Sequence, residues 1–313
     1  MLIEKNIDLL IIGGGPAGLA ATIYAARAKI DFILIEDGVL GGQLKNSYTI
    51  ENYPGFNSIE GKKLSELFYK QAIDLGANID VFDNIRNIYI EEGNNIIETY
   101  SCTYYAKTII IATGAVPKKL PIQGGTKYEG RGIHYCAICD GAMYSNKKIG
   151  VVGGGNSALE EALFLTRFAQ KVYIIRRHDY FNGEKNMIDK VNNNPKIEIL
   201  YNFDLIDVSG EDFVQKAIIK NIITGEVEEI ELSAVFGYIG NEPKTKFIEK
   251  YIELNKDGYI ITDENMQTNI PGVYAIGDVR DKKFRQITTA VADGTIAVLH
   301  LEKYFLNKKG GNC

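Results

Sequence analysis

Two segments of the chain share one pattern, in which a short apolar run leads into glycines and then into a longer helix-forming stretch. In the first segment the apolar run covers residues 8–12, an alanine-rich stretch predicts a helix over 19–28, and a second apolar strand follows at 31–35. Uninterrupted apolar runs of this length are typical of parallel strands that are buried on both faces. The segment therefore predicts a strand–helix–strand (βαβ) unit.

The same order recurs near the middle of the chain. A strand is predicted over 148–152, a helix over 159–168 and a further strand over 172–175. Near the C-terminus, another apolar strand at 272–278 precedes a helix-like stretch at 289–304. Two separate βαβ units predict an α/β protein with two Rossmann-like nucleotide-binding domains.

Glycines at the first strand-to-helix turn match a dinucleotide-binding fingerprint. Gly13 allows the tight turn, Gly15 lets a pyrophosphate approach the backbone at a helix N-terminus, and Gly18 lets the helix pack closely on the strand. Glu36, after the next strand, would bind an adenosine ribose and repel a 2′-phosphate, which favours FAD or NAD over NADP. The alternative is a chance glycine-rich turn, which would not explain why an acidic residue, Glu36, ends the next predicted strand. The predicted cofactor residues of the turn are Gly13, Gly15, Pro16, Ala17 and Gly18.

The second turn has similar glycines but is followed by the opposite charge. Gly153 and Gly155 occupy the first two fingerprint positions and Ala158 takes the third. Arg176 and Arg177 follow the next predicted strand, and such a basic cluster suits the 2′-phosphate of NADP, although a solvated charged turn is the alternative. The opposite charges that follow the two turns predict two different cofactors, as in a flavoprotein that takes hydride from a nicotinamide. Asn156 and Ser157 complete the predicted cofactor residues of this turn.

A CxxC motif, Cys136 and Cys139, lies just before the second turn. CxxC thiols often have lowered pKa values, and the thiolate is the nucleophile, so the pair predicts a dithiol that cycles through a disulfide. A structural zinc site would need more ligands, and the spacing from His134 is unsuitable, so no metal site is expected. Asp140 could supply or accept the proton of a sulfur, or alternatively cap a helix.

Composition narrows the function classes. The 313 residues suffice for two domains, and 45% hydrophobic with 24% charged residues is the balance of a globular protein. A formal net charge of −5 argues against a nucleic-acid partner, and no apolar run approaches the roughly 20 residues that span a bilayer. The N-terminus lacks signal-peptide anatomy. Four cysteines are too few for a secreted framework; Cys102 is expected in packing and Cys313 as an incidental thiol.

The C-terminal segment is expected to belong to the first nucleotide site. Asp278 ends the predicted strand, and Arg285 and Gln286 precede the last predicted helix. A carboxylate at a strand end, beside a nucleotide cradle, could bind ribitol or ribose hydroxyls. This segment would then complete the first domain, with the second domain inserted into the first.

Together, these motifs resemble those of low-molecular-weight thioredoxin reductases, which are flavin disulfide reductases, over nearly the whole chain. The matching stretches are GGGPAG (13–18), GGQL (41–44), IENYPGF (50–56), ATGA (112–115), CAICDG (136–141), GGGNSALEEA (153–162), YAIGD (274–278) and RQITTA (285–290). No single stretch is specific, but the set is.

The resemblance implies FAD bound by two segments, 1–115 and 243–313, and an NAD(P)H-binding domain over 116–242 that carries the CxxC. It also implies a homodimer, a cytoplasmic location, and thioredoxin or a thioredoxin-like protein as partner. The residues implied to contact the flavin or its ribitol chain are Gly41, Gly42, Gln43, Leu44, Asn52, Ala112, Thr113, Gly114, Gly277, Asp278, Arg285, Gln286 and Ile287.

The resemblance also implies a reaction. NADPH would deliver hydride to the flavin, and the reduced flavin would open a Cys136–Cys139 disulfide, with Cys139 as the flavin neighbour and Asp140 as the acid. The resulting dithiol would reduce thioredoxin. Because the flavin must meet the nicotinamide and then the CxxC, the inserted domain would rotate about hinges near 114–117 and 240–243.

One departure from the family weakens the prediction of the electron donor. The family's phosphate-reading stretch runs His-Arg-Arg with another Arg four residues on, whereas Arg176, Arg177 and His178 stand here and Asn182 replaces the later Arg. Because His is mostly neutral at pH 7 and Asn has no charge, the preference for NADPH is expected to be weaker. NADH or ferredoxin as donor, a disulfide other than thioredoxin as acceptor, and a non-enzymatic redox sensor remain alternatives.

Overall fold

The computed structural model describes residues 3–46 and 50–310, and Cys313 lies outside them. The chain divides into two compact units. The discontinuous unit consists of Met1–Val116 and Glu242–Cys313, and the inserted unit consists of Pro117–Asn241. No helix among the described residues is both long and apolar enough to cross a membrane.

Strands and helices alternate along much of the chain. In chain order the strands are β1 (Ile3–Ile12), β2 (Phe32–Glu36), β3 (Ile79–Val81), β4 (Ile85–Tyr89), β5 (Asn95–Thr99), β6 (Cys102–Ile111), β7 (Ala115–Pro117), β8 (Ile133–His134), β9 (Lys148–Gly153), β10 (Lys171–Arg176), β11 (Ile197–Tyr201), β12 (Phe203–Ser209), β13 (Lys216–Asn221), β14 (Val227–Glu231), β15 (Ala234–Tyr238), β16 (Asn241–Pro243) and β17 (Val273–Ala275). The α-helices are α1 (Pro16–Arg27), α2 (Gly61–Asp74), α3 (Ala137–Asp140), α4 (Asn156–Leu165), α5 (Lys185–Asn192) and α6 (Ile287–Gly310). Short 3₁₀ helices cover Gly42–Asn46, Gln123–Gly125, Gly141–Tyr144 and Gly277–Val279.

The discontinuous unit is built on a seven-stranded sheet of order β3-β2-β1-β6-β5-β4, with β17 also paired to β6. Strand β1 lies between β2 and β6, parallel to both. Its alternate side chains enter two apolar clusters, Leu10 and Ile12 in one and Leu9 and Ile11 in the other. Both faces of the strand are therefore buried, which is why its sequence reads as a continuous apolar run.

The inserted unit repeats this plan on a five-stranded sheet of order β11-β10-β9-β15-β8. Here β9 takes the central place, parallel to β10 and β15. Strands β12, β13 and β14 form a separate antiparallel sheet. The two parallel arrangements confirm the predicted α/β class with two Rossmann-like units.

Several element boundaries differ from the sequence prediction. Helices α1 and α4 begin at Pro16 and Asn156, three residues before their predicted starts. Their first turns consist of small or polar residues, which carry no apolar periodicity, and proline at the start of α1 is favoured because it needs no amide hydrogen there. The strand predicted over 272–278 is shorter, because β17 ends at Ala275 and a 3₁₀ helix begins at Gly277.

Helices α1 and α6 pack with their backbones in close approach at Gly294. A Cβ atom at Gly294 would lie 2.4 Å from the carbonyl oxygen of Ala17 and 2.9 Å from the amide nitrogen of Ala21. We therefore expect Gly294→Ala to lower the free energy of unfolding by about 1–3 kcal/mol through overpacking. Glycine-to-alanine changes inside an unhindered helix do the opposite, adding up to about 1 kcal/mol.

Urea unfolding followed by circular dichroism measures this change. Thr295→Ala is the control, because it alters the next residue of the same helix and removes only a methyl group and a hydroxyl, the latter bonded to the carbonyl of Val291. The control is expected to stay within about 0.5 kcal/mol of wild type. A Gly294→Ala protein as stable as wild type would show that the helices can separate at no cost.

Candidate active site

The CxxC motif forms a disulfide at the start of helix α3. Cys136 is the N-cap residue of this helix, and its sulfur is bonded to that of Cys139. The amide of Cys139 donates to the Cys136 sulfur at 3.2 Å, and the amide of Ala137 donates to the Tyr238 hydroxyl at 3.0 Å. The predicted redox pair is therefore present in its oxidised form, on one turn of helix in the inserted unit.

Asp140 does not cap the helix with its side chain but binds a buried histidine. Its Oδ2 lies 2.9 Å from His134 Nδ1, on strand β8. The other ring nitrogen of His134, Nε2, lies 2.7 Å from the Tyr144 hydroxyl. The His134 side chain is 3% exposed and that of Asp140 is 30% exposed. Asp140 thus faces solvent on one side and a buried imidazole on the other.

A first nucleotide cradle lies at the β1–α1 turn of the discontinuous unit. Gly13 has a φ of +109°, and a Cβ atom at Gly18 would lie 1.9 Å from the Gly13 carbonyl oxygen. Helix α1 starts after its N-cap residue, Gly15. The first-turn amides of a helix have no acceptor within it, and they favour an anion together with the helix dipole. The turn therefore has the geometry that the fingerprint requires, with free amides at the start of the helix.

Glu36 closes this cradle from the end of β2. Its two carboxylate oxygens accept hydrogen bonds from the amides of Gly14, at 2.6 Å, and Gly38, at 3.1 Å. Burial raises the pKa of Glu36, and these two hydrogen bonds oppose that effect. The carboxylate is held in place by backbone amides, beside the turn where a ribose would lie in a Rossmann site.

Other predicted flavin residues converge on the same sheet edge. Ile12, Ile111 and Ala275 are in register, so the residues after β1, β6 and β17 meet there. Hydrogen bonds also tie several of these residues to distant parts of the unit. They are Gly41 amide to Gly14 carbonyl at 2.8 Å, Gln43 side chain to Ala115 carbonyl, Asn52 Nδ2 to Gln286 Oε1 at 3.2 Å, Ala112 amide to Ile12 carbonyl at 2.7 Å, Thr113 hydroxyl to Lys244 carbonyl at 3.0 Å, and Lys244 amide to Gly114 carbonyl at 3.1 Å. Leu44 is buried, and Ile287 begins α6.

A buried group of charges fixes the loop that carries Asp278. Asp293, on helix α6, accepts hydrogen bonds from Arg280 at 3.1 Å, from Lys282 at 3.0 Å and from the Gly277 amide at 3.0 Å. Burial of an ion pair is favourable only when its members are well hydrogen-bonded, which is the case here. The group anchors the short 3₁₀ turn from which Asp278 projects.

Two buried polar atoms near this loop have no hydrogen-bond partner among the described residues, Asp278 Oδ1 and Arg285 Nε. Lys282 Nζ is 3.7 Å from Asp278 Oδ1, which is an ion pair but too long for a hydrogen bond. Because unsatisfied buried polar atoms are costly, they indicate a missing partner. The hydroxyl groups of a ribitol chain would satisfy the carboxylate, so this unit fits FAD.

A second cradle lies at the β9–α4 turn of the inserted unit. A Cβ atom at Gly153 would lie 2.3 Å from the Tyr238 carbonyl oxygen, whereas one at Gly155 would meet no described atom within 4 Å. Gly155 is the N-cap residue of α4, which then runs through Asn156, Ser157 and Ala158. The side chain of Asn156 accepts from the Glu184 amide at 2.7 Å. The open space at Gly155 fits a pyrophosphate.

The two predicted phosphate-reading arginines have different partners. Arg176 lies against the cradle at Gly154 and donates to the Tyr180 carbonyl at 2.9 Å and to Asn182 Oδ1 at 3.3 Å. Arg177 instead donates to both oxygens of Asp204, on β12, at 3.0 Å each. The Asn182 that replaces the family's later arginine therefore holds Arg176, while Arg177 is neutralised by an acid.

Sequence reasoning missed the partners that orient the predicted residues. The sequence pattern presents His134 only as an unsuitable zinc ligand, although a histidine on a strand close to a redox pair is also a candidate proton donor. Asp293 left a detectable signal, since it is a lone acid within the apolar positions of a long helix. Tyr144 and Asp204 gave none, because their roles depend on which strands and turns lie side by side. The described residues contain no group of three or more His, Cys, Asp or Glu suited to a metal.

Comparison with known proteins places these sites in context. Residues 7–294 match the pyridine nucleotide-disulphide oxidoreductase family. A Clostridium pasteurianum protein described as a 34.2 kDa protein in the rubredoxin operon is 47% identical, covering 97% of this chain and 99% of its own. A Peptoclostridium acidaminophilum thioredoxin reductase is 41% identical, covering 96% and 98%. The crystal structure of Lactococcus lactis thioredoxin reductase is similar with a TM-score of 0.94 and 41% identity, covering 96% and 99%.

The unsatisfied carboxylate of Asp278 gives a prediction about stability and flavin binding. Burial raises the pKa of Asp278, so its ionised form destabilises the flavin-free fold, and this destabilisation grows as pH rises through the folded-state pKa. Asp278→Asn removes that charge and is therefore expected to raise the Tm of the flavin-free protein at neutral pH. The same change is expected to weaken FAD binding about tenfold or more, because a hydrogen bond to a charged group is lost.

Calorimetry of the flavin-free protein and fluorescence titration with FAD measure the two effects. Asp281→Asn, close by on the same loop, is the control and is expected to change neither. If Asp278→Asn lowered the Tm of the flavin-free protein, the carboxylate would be satisfied without a ligand, and its assignment to flavin binding would lose its physical basis.

Proposed function

Because the chain belongs to the pyridine nucleotide-disulphide oxidoreductase family, we propose that it is a thioredoxin-disulfide reductase that carries electrons from NADPH, through FAD, to thioredoxin or a thioredoxin-like protein. The observation that carries the proposal is the Cys136–Cys139 disulfide, with Asp140 beside it, in a chain that also has two nucleotide cradles. Relatives described as thioredoxin reductases support the choice of acceptor.

We assign FAD to the discontinuous unit. The α1 N-terminus would hold its pyrophosphate, Glu36 its adenosine ribose and Asp278 its ribitol chain. The remaining proposed contacts are Gly41, Gly42, Gln43, Leu44, Asn52, Ala112, Thr113, Gly114, Gly277, Arg285, Gln286 and Ile287. When bound, FAD supplies the chemistry that side chains lack, which is accepting a hydride from a nicotinamide and delivering an electron pair to a disulfide.

We assign the nicotinamide nucleotide to the inserted unit. The α4 N-terminus, open at Gly155, would hold the pyrophosphate, and Arg176 and Arg177 would face a 2′-phosphate. To bind that phosphate, Arg177 must give up part of its contact with Asp204. This competition supports NADPH as donor with a reduced preference over NADH.

The protein's own residues perform the disulfide chemistry. When an electron pair enters the disulfide, the bond between Cys136 and Cys139 breaks, and we assign Asp140, the residue after Cys139, as the acid that protonates the sulfur that leaves. A thiolate of the reduced pair then attacks the partner's disulfide and forms a mixed disulfide, which the second sulfur resolves. The partner departs reduced and the Cys136–Cys139 bond is restored. We propose Cys139 as the sulfur that neighbours the flavin.

The remaining assignments follow the same resemblance. We propose an FAD-binding domain made of residues 1–115 and 243–313, and an NAD(P)H-binding domain over 116–242. We further propose a homodimer in the cytoplasm, where thiol-disulfide enzymes work against a reducing thiol pool.

Serine variants of the CxxC test the function directly. Cys136→Ser and Cys139→Ser are each expected to abolish NADPH-dependent reduction of thioredoxin, because either change removes the disulfide. The assay follows thioredoxin thiols with a chromogenic disulfide under anaerobic conditions. Cys102→Ala is the matched control, since Cys102 is a free and buried cysteine on β6, and it should retain turnover. Turnover that survives in either serine variant would refute the proposed route.

Asp204 gives a prediction about donor preference. Asp204→Asn leaves Arg177 without its counter-charge, so the ratio of kcat/KM for NADPH to that for NADH is expected to rise. The rise should be about two- to fivefold, because an exposed ion pair is worth at most about 1 kcal/mol. Arg177→Gln is expected to lower the same ratio.

Steady-state kinetics with both donors measure this ratio. Glu198→Gln is the control, because it removes a comparable ion pair, with Lys171 at 3.1 Å, from the same unit. An unchanged ratio in both Asp204→Asn and Arg177→Gln would mean that Arg177 does not read the 2′-phosphate.

A further inference from the structure

A chain of hydrogen bonds runs from Asp140 into the interior of the inserted unit. Asp140 Oδ2 contacts His134 Nδ1 at 2.9 Å, and His134 Nε2 contacts the Tyr144 hydroxyl at 2.7 Å. The imidazole stacks on Phe236, with ring centroids 5.3 Å apart. The ring therefore cannot easily turn away, and its two nitrogens are committed to one partner each. Tyr144, the last member of the chain, is a partly exposed residue.

Two protonation patterns satisfy this chain equally well. When Asp140 is ionised it can only accept, so neutral His134 donates from Nδ1, and its Nε2 accepts from the Tyr144 hydroxyl. When Asp140 is protonated it donates to Nδ1, and Nε2 then donates to the Tyr144 oxygen. In neither pattern is a buried nitrogen left without a partner. The proton of Asp140 can therefore come and go without the desolvation cost that an unpaired buried group would carry.

We propose that His134 is a positioning residue for the disulfide chemistry, which holds the Asp140 carboxyl group and, with Tyr144, conducts the proton that Asp140 gives to a cysteine sulfur. The inference rests on the proposed function for the role of Asp140. It adds residues that neither the CxxC motif nor the nucleotide cradles include.

The step balances for any dithiol reductant. The reductant loses two electrons and two protons and becomes a disulfide, while the Cys136–Cys139 bond breaks and the two sulfurs gain two electrons and two protons. One of those protons comes from Asp140. Asp140 receives this proton beforehand from Nδ1 of His134, as Nε2 takes the hydroxyl proton of Tyr144 and water returns a proton to Tyr144. Once Asp140 has given the proton to a sulfur, its partly exposed carboxylate takes a proton from water and passes it to Nδ1, while Nε2 returns its proton to Tyr144 and Tyr144 releases one to water, so the starting pattern is restored.

Other titratable groups lie close enough to affect a pH profile. Helix α4 contributes Glu161, and burial raises the pKa of Glu161 to about 8. Strand β15 contributes Tyr238, whose pKa is raised by burial and by the charges of Glu161 and Asp140. Burial and the Asp140 charge also raise the pKa of Tyr144, so its hydroxyl stays protonated at neutral pH and serves as a relay rather than as an anion.

The test measures the disulfide itself and needs neither nicotinamide nor thioredoxin. The full-length oxidised protein is mixed with excess dithiothreitol, quenched in acid at intervals and alkylated, and the Cys136–Cys139 peptide is quantified by mass spectrometry. Rate constants are divided by the concentration of dithiothreitol monothiolate at each pH. Wild type is expected to give a nearly level profile between about pH 6 and pH 8, because the relay supplies the proton.

Two variants interrupt the relay. Tyr144→Phe keeps the ring and removes the hydroxyl, and His134→Gln keeps hydrogen-bonding atoms but cannot exchange a proton between two nitrogens. Each is expected to lose roughly three- to tenfold in rate near pH 8, with a smaller loss near pH 6 where solvent supplies protons. If His134→Gln does not fold, Tyr144→Phe carries the test alone. Tyr274→Phe is the matched control, because it removes a Tyr–His hydrogen bond of 3.0 Å, to His300, in the other unit.

A double-mutant cycle decides whether His134 acts through Asp140. In an Asp140→Asn background, His134→Gln and Tyr144→Phe are expected to cause no further loss of rate. Additive losses in that background, or variants that change Tm but keep the wild-type rate and profile, would overturn the proposal. If the pH profile of the reduction rate is level in wild type but steep in Glu161→Gln, the proton comes from Glu161, and the proposal is overturned as well. A protein that shows the coupling but no turnover of thioredoxin would refute only the proposed function.

Discussion

Both nucleotide cradles depend on one steric constraint, which is that backbone lies against backbone where a helix leaves the sheet. At the first turn, a side-chain carbon on Gly13 would lie 2.5 Å from the Ala112 carbonyl oxygen; at the second, one on Gly153 would lie 2.3 Å from that of Tyr238. Such contacts allow α1 and α4 to start directly at the carboxyl edge of their sheets. Parallel register brings neighbouring strand ends to that edge too, so the free amides at the helix start and the side chains proposed to select a ligand lie at one edge of the sheet.

Several charged side chains of the candidate site, or the loops that carry them, are held by polar groups from other parts of the fold. Glu36 is held by the amides of Gly14 and Gly38, and the Asp278 loop is held by Asp293 of α6. Asp140 is held by His134 of β8, and Arg177 by Asp204 of β12. A charge that is fixed in advance reorganises little when a reaction develops charge nearby, which is the main way in which folded proteins stabilise it. The pair of Arg177 and Asp204 differs from the others, because Asp204 competes with the ligand that Arg177 is proposed to bind.

Much of the fold could be predicted from local sequence, and the partners of the site residues could not. Apolar runs and glycines identified both βαβ units, because periodicity and turn chemistry are local properties. Helix α1 begins earlier than its periodicity indicates, since Pro16 and Ala17 carry a start signal but no apolar stripe. The contact between His134 and Asp140 depends on where β8 places a residue relative to α3, which no pattern in the sequence encodes.

The central claim is that one chain passes electrons from a nicotinamide to a flavin and then to the Cys136–Cys139 disulfide. Anaerobic titration of the FAD-loaded protein with NADPH, followed by the visible absorbance of the flavin, tests it most directly. Because flavin and disulfide each take two electrons, wild type should need two equivalents of NADPH for full bleaching, and the double variant Cys136→Ser, Cys139→Ser only one. If wild type bleached with a single equivalent, or failed to bleach, the disulfide would not be in electronic contact with the flavin and the account would be wrong.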